Sequence, residues 1–503
     1  MTAPHFFVRR RLETAAVVAV LGLILGLTIS GAAAQQPSPP ATGAAQSGAT
    51  PGAAGVGDRY FPSYGNGGYQ VRHYGVDVAY TPRTGRLNGT TVVTARTKKA
   101  LSSFHLDLML RPIAVRVDGS PAAFSKPTRH ELVVVPRRPV AAHRRMVVRV
   151  TYTGFPGRVN VPSHIPGAGR YAPWQSPKLE SFVNGAPEGA AVWFPVNDHP
   201  VDKARYDITA HAPRTWEAVS NGRLVSHRRT ATESIWHWRQ PTPMVSYLAF
   251  LGLGQYQIRQ GTTAGGRPFT YAWSDRFGPK RAAKALATLR TTPRRVDWLS
   301  RQFGRYPFRH VGGVVVDANI STIESQTAPV YNGSVLLYGR NASTLMTHEL
   351  AHQWFGDSVS IRRWRDVWLN EGFATWSEWL YAARHGGPAL NRQLTQLYRM
   401  HPAGDAFWND RTANPGPHSL WGPPVYDRGA MTAQALRNVV GARTFDPLVR
   451  TWLASRAHGH GTTRQFVALS QRVSDQDLTH FFHVWLHTAK RPAWTTANGL
   501  PKP

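Results

Sequence analysis

A chain of 503 residues with 42% hydrophobic and 11% aromatic content has enough apolar material for two or three domains with cores of their own, which excludes a disordered polymer. Its 59 Lys and Arg against 28 Asp and Glu give a formal charge of +31, but the arginines are dispersed, so no basic run with interleaved aromatics reads as a specific nucleic-acid site. The absence of cysteine excludes disulfides and any thiolate-held metal.

Residues 1–34 have the order of an export signal: Arg9-Arg10-Arg11, an apolar run from Ala15 to Ile29, then Ala32-Ala33-Ala34 as the small residues a signal peptidase accepts. The expected location is secreted or cell-surface. An uncleaved anchor is the alternative, although the apolar run is short for a membrane span. Residues 35–57, rich in Pro, Gly, Ala and Ser and free of charge, read as a linker. The positive charge would favour weak association with an anionic wall or membrane surface, and a solvated basic face is the plainer reading.

From residue 58 to 260 the chain alternates apolar and polar residues in short segments such as YQVRHYGVDVAY, TTVVTARTKK, ELVVVPRR and RMVVRVTYTG, separated by turn residues. This pattern predicts an antiparallel β-rich domain, a sandwich or saddle. The second domain, 261–503, opens with a strand, RPFTYAWS. A helical stretch, KRAAKALATLRTTPRRVDWLSRQFG, a strand, HVGGVVVDANI, and mostly helices follow. The predicted class is α+β and multidomain.

The chemistry concentrates between Ser343 and Gly386. His348-Glu349-Leu350-Ala351-His352 places two histidines four apart, on one helix face, where both can address one ion. Glu349 projects beside them. A third ligand must come from elsewhere, and Glu371, with eighteen residues between it and His352, is the best candidate. Two imidazoles, one carboxylate and one open position are what a catalytic zinc ion needs, so one Zn2+ per chain is expected. Ser343 or Thr344 would cap the first helix, Gly356 would follow its end, and Asp366 would cap the second. A zinc ion there would acidify a water molecule and polarise a carbonyl, with Glu349 moving the proton. The reaction expected is amide hydrolysis. Trp354, Trp364, Trp368, Trp376 and Trp379 read as core.

HELAHQWFGDSVS followed by WLNEGFATWSEWL closely resembles the aminopeptidase-N-like gluzincin metallopeptidases. The likeness extends over most of the chain through WFPVNDHPVDKARYDI at 193–208, STIESQTAPVY at 321–331 and VYDRGAMTAQALR around Tyr426. It implies a thermolysin-like catalytic domain at 261–503, without the long helical array that follows it in longer members. It also implies peptide substrates with a free amino end. By the same resemblance Tyr426 stabilises the oxyanion and Glu324 binds the substrate ammonium. Two departures stand out. Ser321, Ile323 and Ser325 differ from the family's Gly-x-Met-Glu-Asn, and Ala186 replaces a second amine-binding Glu or Gln, with Glu188 two residues later. Three readings remain: an exported zinc aminopeptidase, a related zinc hydrolase or endopeptidase with altered amino-end recognition, and a catalytically degenerate protein that binds surfaces through its basic charge.

Overall fold

In the computed structural model, which describes residues 48–177, 179–339 and 341–501, the alternating segments become sheet. Residues 1–47, with the expected export signal and the start of the expected linker, lie outside the described residues. In Tyr69–Thr81, residues 69 and 71 are buried, then 74, 76, 78 and 80, the phase changing at a register slip between Val71 and His73. A period of two puts one set of side chains inward, and the bulge switches which set that is.

This strand is central to an eight-stranded sheet in the order Arg223–Arg229, Glu233–Met244, Ala204–Pro213, Tyr69–Thr81, Arg86–Thr97, Arg145–Gly154, Arg111–Val117, Ser120–Pro121. All neighbours are antiparallel except Ala204–Pro213 and Tyr69–Thr81, which run parallel. The large sheet of the expected antiparallel domain therefore contains one parallel pair, closed by a long connection rather than a hairpin. A four-stranded sheet, Thr50–Pro51, Leu101–Asp107, Glu131–Val135 and Ala123–Ser125, shares the core with it through Leu106, Val134, Tyr74 and Val148. Thr50–Pro51 falls within the Pro/Gly-rich 35–57 stretch, so the end of that stretch is laid along the β-domain.

The second half begins with a mixed sheet, Tyr256–Thr262, Pro268–Ser274, Val311–Val316 and Val330–Asn332, whose first strand starts a few residues ahead of 261. Helices α1 (Pro279–Leu289) and α2 (Thr292–Phe303) connect its strands, and α3 (Gly333–Tyr338), α4 (Ala342–Ala351) and α5 (Trp368–Arg384) follow. The remainder is α6 (Leu390–Met400), α7 (Gly429–Val440), α8 (Ala442–Ser455), α9 (Thr463–Ser474) and α10 (Thr479–Phe482). Trp354, Trp364, Trp368, Trp376 and Trp379 are all buried, as packing residues should be. Among the described residues no helix is long and apolar enough to cross a membrane.

Candidate active site

His348 lies in the last turn of α4 and His352 follows its end, both buried. The helix starts one residue ahead of Ser343, so neither Ser343 nor Thr344 caps it. Ser343 is held instead by Arg295 from α2, whose guanidinium donates to its Oγ at 2.9 Å and its carbonyl oxygen at 3.0 Å. Gly356 adopts a φ of +121° in the turn that reverses the chain. Asp366 does not cap α5: its carboxylate accepts from the N–H and hydroxyl of Thr463 at 3.1 and 2.6 Å, tying the turn before α5 to α9.

The reversal brings Glu371 to the histidines. Its Oε2 stands 3.4 Å from His348 Nε2 and 3.3 Å from His352 Nε2. Each ring is oriented through its other nitrogen. His348 Nδ1 donates to Glu378 Oε1 at 2.7 Å, and His352 Nδ1 donates to the carbonyl of Phe355 at 2.9 Å. Both Nε2 lone pairs are thereby left for an ion, the arrangement in which an imidazole binds metal. Burial opposes charge on Glu371, but without an ion the protonated imidazoles beside it hold its carboxyl at about 2, in the anionic form a ligand requires; an ion would take the place of those protons. The donor set fits zinc.

Glu349 is buried beside this set, and burial pushes its carboxyl up to about 7, within reach of proton exchange at neutral pH. Glu324 also converges on it: one oxygen each from Glu324 and Glu349 and one ring nitrogen of His352 lie within 4.8 Å of one another. Glu324 follows a single antiparallel bridge, Ile323 to Val330, rather than lying in a strand. Its carboxylate accepts from Tyr247 at 3.0 Å, and its carbonyl accepts from the Gln353 side chain at 3.1 Å. Gln353 Oε1 also accepts the N–H of Thr327 at 2.9 Å, so the segment bearing Glu324 is pinned to the end of the histidine helix.

Tyr426 sits in a helical turn, Pro424–Arg428, that runs directly into α7. Its ring lies nearly parallel to that of His348 with centroids 6.1 Å apart. Burial, then the Glu371 charge, keeps the phenol protonated and a donor. What brings it there is a joint between α5 and α7. A Cβ on Gly372 would lie 2.7 Å from the Cα of Gly429, so the two helices touch as bare backbone.

All six predicted site residues are thus brought together. Glu188 is not: its carboxylate accepts from Tyr64 at 2.6 Å and faces His130 Nε2 at 3.0 Å, deep in the β-domain. It cannot stand in for the group that Ala186 lacks. Sequence reasoning missed Tyr247 and Gln353. Gln353, next to His352, was within sight of the motif, whereas Tyr247 arrives from 77 residues before Glu324.

Residues 70–248 match the family described as Peptidase M1 N-terminal domain, and 287–485 match the Peptidase family M1 domain. The chain is 27% identical over 320 residues to Aminopeptidase N of Streptomyces lividans, covering 58% of this chain and 36% of that one. It is 24% identical over 317 residues to Aminopeptidase M1-D of Oryza sativa subsp. japonica, covering 58% and 35%. The chain thus spans about a third of the length of these curated relatives. Among solved structures, a mutant of the M1 zinc metallopeptidase of Deinococcus radiodurans, bound to a Tyr-Ser-Ala substrate, aligns with a TM-score of 0.76 at 24% identity. The alignment covers 89% of this chain and 100% of that chain. A mutant two-domain M1 zinc metallopeptidase bound to L-tryptophan aligns with a TM-score of 0.77 at 24% identity over the same shares.

Proposed function

The chain belongs to the M1 peptidase family, whose two domains it carries in order, and from that premise we propose that it is an exported, zinc-dependent aminopeptidase. The observation that carries the reading is the single Glu371 oxygen placed 3.3–3.4 Å from both His348 and His352, with Glu349 buried alongside. Bound by His348, His352 and Glu371, zinc supplies Lewis acidity toward a peptide carbonyl and toward water. Glu349 takes the proton of the attacking water and delivers it to the leaving nitrogen. The Tyr426 phenol donates a hydrogen bond where negative charge develops on the carbonyl oxygen. Glu324 holds the substrate ammonium as a buried carboxylate, its position fixed by Tyr247 and Gln353. That a structural relative binds Tyr-Ser-Ala supports a peptide as the substrate class.

One observation favours a second reading, hydrolysis with relaxed amino-end recognition. Ala186 offers no carboxylate, and Glu188 is occupied by Tyr64 and His130. Assay on free and amino-blocked fluorogenic peptides separates the two: turnover of free ends alone supports the aminopeptidase, and turnover of blocked ends supports the relaxed enzyme. Chelator-insensitive turnover, or none, overturns both. Export rests on the Arg9–Ala34 pattern and is tested by sequencing the amino terminus of the protein recovered from outside the cell.

A further inference from the structure

We infer that the β-domain holds a second divalent-cation site, of the zinc type, built from Asp107, His130 and Glu131. Asp107 closes the strand Leu101–Asp107 and Glu131 opens Glu131–Val135, and the two are direct cross-strand partners. Like charges opposite one another destabilise a sheet unless something offsets them. Here both carboxylates are buried as well, Asp107 completely.

Asp107 and Glu131 each have one carboxylate oxygen tied down and one turned towards His130. Asp107 Oδ2 accepts the N–H groups of Gly65 at 3.2 Å and Asp198 at 2.6 Å. Glu131 Oε2 pairs with His105 Nδ1 at 3.2 Å. His130 Nε2 faces Glu188 Oε1 at 3.0 Å, and Glu188 is steadied by the Tyr64 hydroxyl. Asp107 Oδ1, Glu131 Oε1 and both ring nitrogens of His130 take no hydrogen bond although buried, and the three residues each offer a ligand atom within 4.8 Å of the others.

Their spacing is that of ligands sharing an ion. Asp107 Oδ1 is 3.3 Å and Glu131 Oε1 3.6 Å from His130 Nδ1, against 3.4 and 3.3 Å between the corresponding atoms of the His348–His352–Glu371 set. A tetrahedron with bonds of about 2.1 Å has edges of about 3.4 Å. Glu188 Oε1 stands 3.0 Å from His130 Nε2, the nitrogen turned away from Asp107 and Glu131, where a carboxylate could orient a metal-bound imidazole. Without an ion, His130 lies within ion-pair reach of both carboxylates at 3.3 and 3.6 Å; a doubly charged ion would take the place of its proton, balanced by the two carboxylates. Lys126, whose charge reaches Glu131, spends its ammonium on the carbonyl oxygens of Leu108, Thr128 and Arg129. One imidazole with two carboxylates suits zinc or manganese better than calcium, which takes oxygen alone. The ion would staple the Leu101–Asp107 and Glu131–Val135 strands to the Tyr64 and Glu188 segments.

The test is zinc content by elemental analysis of the full chain, loaded with Zn2+ and dialysed into zinc-free buffer, with far-UV circular dichroism as the check on folding. Wild type is expected to hold two zinc ions, His130→Gln one, and the double variant H348Q/H352Q one. Adding His130→Gln to that double variant removes the last. One zinc in wild type, or none in H348Q/H352Q, overturns the site. So does a wild-type zinc content in His130→Gln. Should His130→Gln fail to fold, the H348Q/H352Q count decides alone.

Discussion

Lys203 reaches from the β-domain to donate to the carbonyl oxygen of Asp357 at 2.8 Å, in the turn that follows the two histidines. A second bond, to the carbonyl oxygen of Ser358 at 2.8 Å, completes the clamp. Burial lowers the ammonium to about 7 and pushes the Asp357 carboxyl, which takes no hydrogen bond, well above its usual range. Removing one partner strands the other groups without water. Lys203→Met should therefore cost roughly 3 kcal/mol in urea unfolding, and Asp357→Asn in the same chain should recover part of it.

Glu349→Gln keeps the shape of the side chain and loses its basicity. Zinc content should match wild type while kcat falls by about 10²–10⁴-fold, read from elemental analysis beside a peptide assay. A fully active variant removes Glu349 from the proton transfer.

Tyr426→Phe deletes one hydroxyl from a ring held by the α5–α7 joint. The expected loss is about 10²–10³-fold in kcat with KM nearly unchanged, because the donor acts where charge develops. Equal kcat would make Tyr426 a packing residue.

Glu324→Gln should separate end recognition from hydrolysis. For free amino-terminal peptides kcat/KM should drop by roughly 10–100-fold, while amino-blocked peptides, if cleaved at all, should be unaffected. A uniform loss on both would mean that Glu324 supports the metal set rather than the ammonium.

Acid stability should depend on His310. Its ring is buried against Thr270 at 3.0 Å, and burial, with Arg223 adding, lowers its pKa from 6.5 to about 4. Between those values the unfolded chain binds the proton that the folded chain refuses, so stability is complete above about 6.5 and is lost progressively towards pH 4. The contribution is on the order of 3 kcal/mol. Unfolding of His310→Gln followed from pH 7 to 4 should show a shallower slope than wild type, and identical slopes would assign the acid sensitivity elsewhere.

The parts legible in the sequence are those set by local period. His348 and His352 follow from helical spacing, and the inward residues of Tyr69–Thr81 follow from alternation, until the bulge at Val71 shifts the phase. Pairings between distant segments leave no such trace. Nothing near Asp366 announces that Thr463 will claim its carboxylate, so a capping role is the natural local reading. The parallel register of Ala204–Pro213 with Tyr69–Thr81 depends on a long connection, not on either segment. Glu188 reads in one dimension only by its distance from Ala186, whereas in the fold His130 and Tyr64 surround it.

The contact between Gly372 and Gly429 has a mechanical meaning. Side chains at a helix crossing hop between rotamers and can be exchanged for larger or smaller ones, which lets two helices drift over evolutionary and thermal time. A crossing of bare backbone has no such play. Glu371, one residue before the crossing, and Tyr426, three residues before it on the other helix, are thereby set at a separation that side-chain packing does not adjust. If the site is catalytic, differences in substrate preference would have to come from the walls of the cleft, since the backbone contact holds the spacing of Glu371 and Tyr426.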